Sequence, residues 1–173
     1  MIKASAGIKD DDPIGDAFEK LRASCESEAV ADLLGAALGV LGAAEGARTQ
    51  GELSWAALRW AEQLAEAQPL VLVFEDIHWA EDPLLDVIEH LARSLRDVPV
   101  LIVGLARPEL LDARPSWAGG IRSASSIDLA PLGDTDCEAL VAALLSSGDV
   151  PPAQLALVLE RAEGNPLFLE EIA

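Results

Sequence analysis

Two short, unbroken apolar runs stand out from a chain whose other apolar residues recur at helical spacing. The runs are Leu70 to Phe74 and Val100 to Leu105, both rich in Val, Ile and Leu. Continuous β-branched segments of this length are expected as strands buried on both faces of a sheet. Helical spacing predicts helices over Ile14 to Ser24 (Ile14, Ala17, Phe18, Leu21), Ala29 to Val40, and Glu52 to Ala67, the last carrying Trp55, Leu58, Trp60 and Leu64. Asp82 to Arg96 reads the same way, through Leu84, Leu85, Val87, Ile88 and Leu91, and opens at Glu81-Asp82-Pro83. Strand, helix, strand at this spacing is a βαβ unit and implies a parallel sheet.

The rest of the chain changes character. Gly39 to Thr49 is a Gly-rich connection, and residues 112–125 form a loop with Pro115, Trp117 and Gly119-Gly120. Ile127 to Leu129 is expected as a third short strand. After it come only helices: Thr135 to Leu145, capped by Asp134 or Thr135, then Pro151 to Ala162, then Leu167 to Ala173 after the Gly164-Asn165-Pro166 break. The expected organisation is an α/β segment over 1–130 and a helical segment over 131–173.

Composition narrows what such a chain can bind. Thirty acids against 12 bases leave a formal charge of −18. That disfavours docking on nucleic-acid phosphates or on an anionic membrane, though one local positive pocket suffices for a nucleotide. No apolar run approaches the roughly 18 residues of a membrane span, and the start, Met1-Ile2-Lys3-Ala4, lacks the apolar stretch expected of a signal peptide. Cys25 and Cys137 are isolated thiols without metal-ligand spacing, as expected in a reduced cytoplasmic setting.

The chemistry is concentrated where the first strand ends. Leu70 to Asp82 reads LVLVFEDIHWAED, so the strand delivers Glu75 and Asp76 to its C-terminal edge. Open α/β sheets bind ligands in the crevice beyond that edge. There one carboxylate can hold Mg²⁺ through water while the other orients an attacking water. The plainer alternative is two solvated acids, or an acid capping the next helix. His78 can sense a bound nucleotide, ligate a metal, or simply pack with a hydrogen bond; Trp79 is expected to pack under the turn. Arg107 follows the second strand at the same edge, where a guanidinium can meet a γ-phosphate or pair with Glu75 or Asp76. Gly164-Asn165-Pro166 can hold a rigid turn against a base or join two helices. Asp10-Asp11-Asp12 reads as a solvated helix start rather than a metal site. Neither a nucleophilic Gly-x-Ser-x-Gly nor a zinc pattern occurs. A Gly-x-x-x-x-Gly-Lys-Ser/Thr loop is also absent; the nearest approximation, Gly42 to Thr49, lacks its Gly-Lys pair and follows no strand.

Four segments in order carry a family likeness: LVLVFEDIHWAEDPLLDVIEHLA, VPVLIVGLARPELL, IDLAPLGDTDCEALVAALL and RAEGNPLFLEEIA. Together they resemble the AAA/STAND-type signalling ATPases. These are P-loop NTPase domains found fused to class III adenylate or guanylate cyclase domains and in large helix-turn-helix transcription regulators. The resemblance implies an incomplete P-loop NTPase-like parallel sheet with flanking helices, followed by the start of a helical lid. It puts Glu75 at the Walker B position associated with Mg²⁺, Asp76 at that of the water-activating acid, Arg107 at sensor 1, and Pro166 at the lid proline near adenine. ATP and Mg²⁺ are the implied cofactors. The implied partners are an N-terminal phosphate-loop segment and C-terminal output or repeat domains, so the chain is expected as a fragment of a longer ATPase. Two departures count against activity of this chain alone: the missing phosphate loop, and the order Glu-Asp where Asp-Glu is usual. The rival expectation is a degenerate, non-catalytic interaction module that keeps the fold.

Overall fold

The computed structural model describes residues 2–39, 49–144 and 152–172. The chain divides into two compact units, Met1–Ala124 and Ser125–Ala173. It is a mixed α/β protein with a small parallel sheet.

The first unit runs α1 (Ile2–Ser5), α2 (Ile14–Ser24), α3 (Glu28–Ala37), α4 (Gln50–Ala67), β1 (Leu70–Phe74), a 3-10 turn (Ile77–Trp79), α5 (Asp82–Ser94), β2 (Val100–Gly104) and α6 (Glu109–Ala113). The helix starts are chemically specified. Thr49 Oγ1 accepts from the Glu52 N–H, and the Glu52 carboxylate accepts from the Thr49 N–H, a reciprocal capping box for α4. Pro83 sits in the first turn of α5, where its missing N–H removes no helical bond. The acidic triplet closes the entry to α2: the Asp12 carboxylate accepts from the Lys9 N–H at 2.7 Å and from the Lys20 ammonium at 2.6 Å.

β1 and β2 pair in parallel, with Leu70 opposite Val100 and Phe74 opposite Gly104, and α5 makes the crossover. One face of the sheet is covered. Leu72 is 1% exposed and packs with Leu21, Val30, Leu34, Trp60 and Leu91 from the helices, while Leu70, Phe74, Val100 and Ile102 pack against the same cluster. The other face differs from the expectation of two buried faces: Val71 is 57% exposed and Leu101 58%. The helices of this unit all feed the first face, so alternate residues along each strand have no layer above them among the described residues.

The second unit contains α7 (Asp134–Leu144), α8 (Pro152–Ala162) and α9 (Pro166–Ile172) around Cys137, Val141, Ala162 and Leu169. The third strand expected at Ile127 to Leu129 does not form. The segment pairs with nothing among the described residues, and Ile127 and Leu129 are 81% and 89% exposed. Three alternating residues do not make a strand without a neighbour to take their backbone groups. The start of α7 is capped by the backbone of Gly133, whose C=O accepts from Asp136 and Cys137, rather than by Asp134 or Thr135.

Candidate functional site

The edge beyond β1 and β2 is built by two backbone bonds that extend the ladder past the last strand residues. The Leu105 N–H donates to the Phe74 C=O at 2.8 Å, and the Ile77 N–H donates to the Leu105 C=O at 3.1 Å. Between these bonds the first strand carries two residues, Glu75 and Asp76, where a regular parallel ladder has one, so the chain bulges there. Asp76 adopts the left-handed conformation, φ 53°, and its C=O accepts from the Trp79 N–H at 2.9 Å. Aspartate tolerates this region better than most residues. Positive φ also occurs at Asp97, Ala118 and Glu163, so it does not single out the site.

Ile77 anchors the turn. It is buried against Leu85, Ile88 and Leu110, and its Cδ1 comes so close to Gly104 that a Cβ there would stand 3.0 Å away. A glycine at the end of β2 therefore lets the turn seat over the sheet edge. The expectation for Trp79 is overturned: Ile77 packs under the turn, and Trp79 lies 76% exposed with its ring 5.1 Å from that of His78. A three-residue 3-10 turn points successive side chains about a third of a revolution apart. With Ile77 inward, Trp79 faces out.

The two acids are displayed rather than used. Glu75 and Asp76 are both exposed, and neither carboxylate has a hydrogen bond or ion pair among the described residues. Arg107 is brought beside the turn by its backbone: its N–H donates to His78 Nδ1 at 3.4 Å. Its guanidinium makes no ion pair with Glu75 or Asp76 among the described residues. His78 Nδ1 accepts that bond, while Nε2 is buried and meets no hydrogen-bond partner among the described residues. The first unit thus assembles Glu75, Asp76, His78 and Arg107 along one sheet edge, the place where α/β folds take ligands.

Among the described residues no group of three or more His, Cys, Asp or Glu side chains can hold a metal. Two carboxylates alone suit a hard cation that retains water and binds substrate oxygens, as Mg²⁺ does, and not an all-protein metal cage. Gly42 to Arg48, the nearest approximation to a phosphate loop, lies outside the described residues; Thr49 is the cap of α4. A shallow cleft lined by Trp55, Arg59 and Gln63 beside α3 and α4 shares no residue with the acid turn.

Pro166 belongs to the second unit, where the Gly-Asn-Pro triplet ends one helix and starts the next. Gly164 is left-handed, φ 76°, after α8. Asn165 Oδ1 accepts from the Leu167 N–H at 3.0 Å, an N-cap for α9, and Pro166 takes the first helical position. The triplet therefore has a complete local explanation as a helix stop and start. Missed in the sequence reading was Arg114, which bonds Asp86 and pairs with Asp82 across the loop after β2. Its only sequence signal is a lone arginine in an acidic chain.

No protein-family model matches the chain, and no solved structure matches it. An uncharacterized protein of Rhizobium meliloti (strain 1021) is 32% identical over 124 residues, which make up 68% of this chain and 11% of that protein. The chain thus spans about a tenth of the length of the curated relative it matches.

Proposed function

We propose that this chain is part of a nucleotide-responsive regulatory ATPase of the AAA/STAND type, contributing the acidic half of the nucleotide site. The observation that carries the reading is the pair of carboxylates, Glu75 and Asp76, unpartnered among the described residues and held beyond the C-terminal ends of two parallel strands. Charged groups left free at such an edge are suited to a ligand rather than to the fold. Glu75 would hold Mg²⁺ through water, and Asp76 would orient the water that attacks. Arg107 would meet the γ-phosphate, with His78 beside it. Held through water by Glu75 beside Asp76, Mg²⁺ would supply neutralisation of phosphate charge there. In the longer protein, occupancy of the site would govern an attached output domain.

The chain has no Gly-Lys phosphate cradle anywhere in its 173 residues. Several charge-assisted hydrogen bonds to the triphosphate are therefore missing, so its own affinity for Mg-ATP is weak. Calorimetry with micromolar Mg-ATP is expected to give no binding heat. A saturable heat at that concentration would mean that a phosphate cradle exists here after all.

A second reading, a non-catalytic interaction module, is favoured by the bare apolar sheet face at Val71, Val73 and Leu101. The two readings separate on Glu75→Gln/Asp76→Asn: the first predicts that this double variant abolishes any response to Mg-ATP at millimolar concentration. The second predicts no response to abolish.

A further inference from the structure

The loop after β2 is tied to α5 by contacts that packing does not require. Asp82, Asp86 and Glu89 recur at i, i+4 and i+7, so they line one face of α5. The Arg114 guanidinium donates to Asp86 Oδ1 and pairs with Asp82 Oδ1 at 3.4 Å. Four residues on, the Ala118 N–H donates to Glu89 Oε1 at 3.1 Å. The same stretch begins at Arg107, whose N–H meets His78 and whose C=O accepts from the Leu110 N–H at 3.2 Å.

Leu110 is buried against Ile77, Leu85 and Ile88 and is the apolar anchor of α6. One anchor leaves a five-residue helix free to swivel about it. Arg114 is four residues further along, on the same side as Leu110, and its C-cap N–H bonds the Leu110 C=O at 2.8 Å. Two fixed points, Leu110 and Arg114, define a direction for the helix where one does not. That direction sets where Arg107 leaves the sheet edge relative to Glu75 and Asp76.

We propose that Arg114 is a positioning residue: by clamping α6 to Asp82 and Asp86 of α5, it holds Arg107 against His78 at the acid turn. The proposal rests on the site reading above only for its consequence, since the clamp itself exists without any ligand. Asp86 raises the Arg114 pKa above its ordinary value through their hydrogen bond, so the guanidinium stays cationic. Arg114 is 23% exposed, while Asp82 and Asp86 are 80% and 49% exposed. Breaking the clamp therefore strands no deeply buried carboxylate, and the fold survives its loss.

The test uses the whole chain without metal or nucleotide, in wild type, Arg114→Met and Asp86→Ala. Nuclear magnetic resonance reads the His78 ring-proton shifts and the amide exchange of Arg107 and Leu111. Both variants are expected to shift the His78 ring signals and to speed exchange at Arg107 and Leu111 about fivefold, the loss of one half-exposed ionic tie. Amides of Leu72 and Ile102 in the sheet stay at wild-type rates. Asp86→Ala replaces an exposed residue by a better helix former, so it keeps the fold and decides the matter if Arg114→Met does not fold. Unchanged His78 signals in Asp86→Ala, or equal acceleration at Leu72 and Ile102, overturn the proposal. Absence of any response to Mg-ATP at millimolar concentration, by contrast, counts against the site reading and leaves the clamp standing.

Discussion

Replacing Gly164 by alanine tests how far the Gly-Asn-Pro triplet is a structural device. An added Cβ at this position would stand 2.6 Å from the Leu132 carbonyl oxygen and 2.8 Å from Pro131 Cβ. The first of these is backbone and cannot swing aside. Moving it also disturbs the bond from the Leu132 N–H to the Gly164 C=O, 2.8 Å long. Three costs combine: about 1–2 kcal/mol for a left-handed alanine, about 1–3 kcal/mol for relieving the overlap, and about 1 kcal/mol for the weakened hydrogen bond. A total near 4 kcal/mol is a large fraction of what a unit of this size commands. Among the described residues its buried core is Cys137, Val141, Ala162 and Leu169. Hydrogen-exchange mass spectrometry on the whole chain is the assay. Gly164→Ala should abolish protection in peptides from α8 and α9 and leave α4 unchanged. Gly164→Asn, which tolerates the left-handed backbone but carries the same Cβ, should lose protection as well. Wild-type protection in the alanine variant refutes the steric argument, and wild-type protection in the asparagine variant alone reduces it to backbone preference.

The two sheet faces should respond differently to truncation: Leu72→Ala is expected to cost about 3 kcal/mol in urea unfolding and Val71→Ala under about 1 kcal/mol, and equal losses would mean the second face is covered. The hydrogen bond from the Lys20 ammonium, and then that from the Lys9 N–H, lowers the Asp12 carboxyl below its ordinary 3.8. This contribution is complete above the unfolded value and lost as pH falls through the lower folded one, so the stability gap between wild type and Asp12→Asn should hold above about pH 5 and close below it. A gap that persists at acid pH shows that the bonds act without the charge. Trp79→Phe should remove the largest share of acrylamide-quenchable fluorescence while shifting stability by under about 0.5 kcal/mol. A large destabilisation would place the indole under the turn instead.

The elements that could be read from the sequence are those whose signal is local. Helical spacing located α2, α4 and α5, and the two apolar runs located β1 and β2, because each pattern reports which side of one element is buried. The parallel pairing followed from the crossover helix. What escaped depended on neighbours. Apolar alternation at Val71, Val73 and Leu101 cannot reveal whether a second layer exists, so the bare face was invisible. Ile127 to Leu129 has strand composition, yet no partner among the described residues takes its backbone groups. Trp79 was misplaced because Ile77, two residues earlier, occupies the space beneath the turn, and only Gly104 on the other strand makes that space. The grouping of Glu75, Asp76, His78 and Arg107 was legible in outline, since all follow strand ends. The clamp through Arg114 was not, because nothing in the spacing of Asp82, Asp86 and Arg114 links positions about 30 residues apart.

The acid turn is most directly tested by mapping where Mg-ATP touches the isolated chain. A titration at millimolar concentration, followed by amide resonances, should move Glu75 to Trp79 and Arg107 before any other residues. Glu75→Gln/Asp76→Asn should erase those shifts. First responses on another surface, or none at the turn, would contradict the assignment of this edge as the nucleotide-facing half of a site.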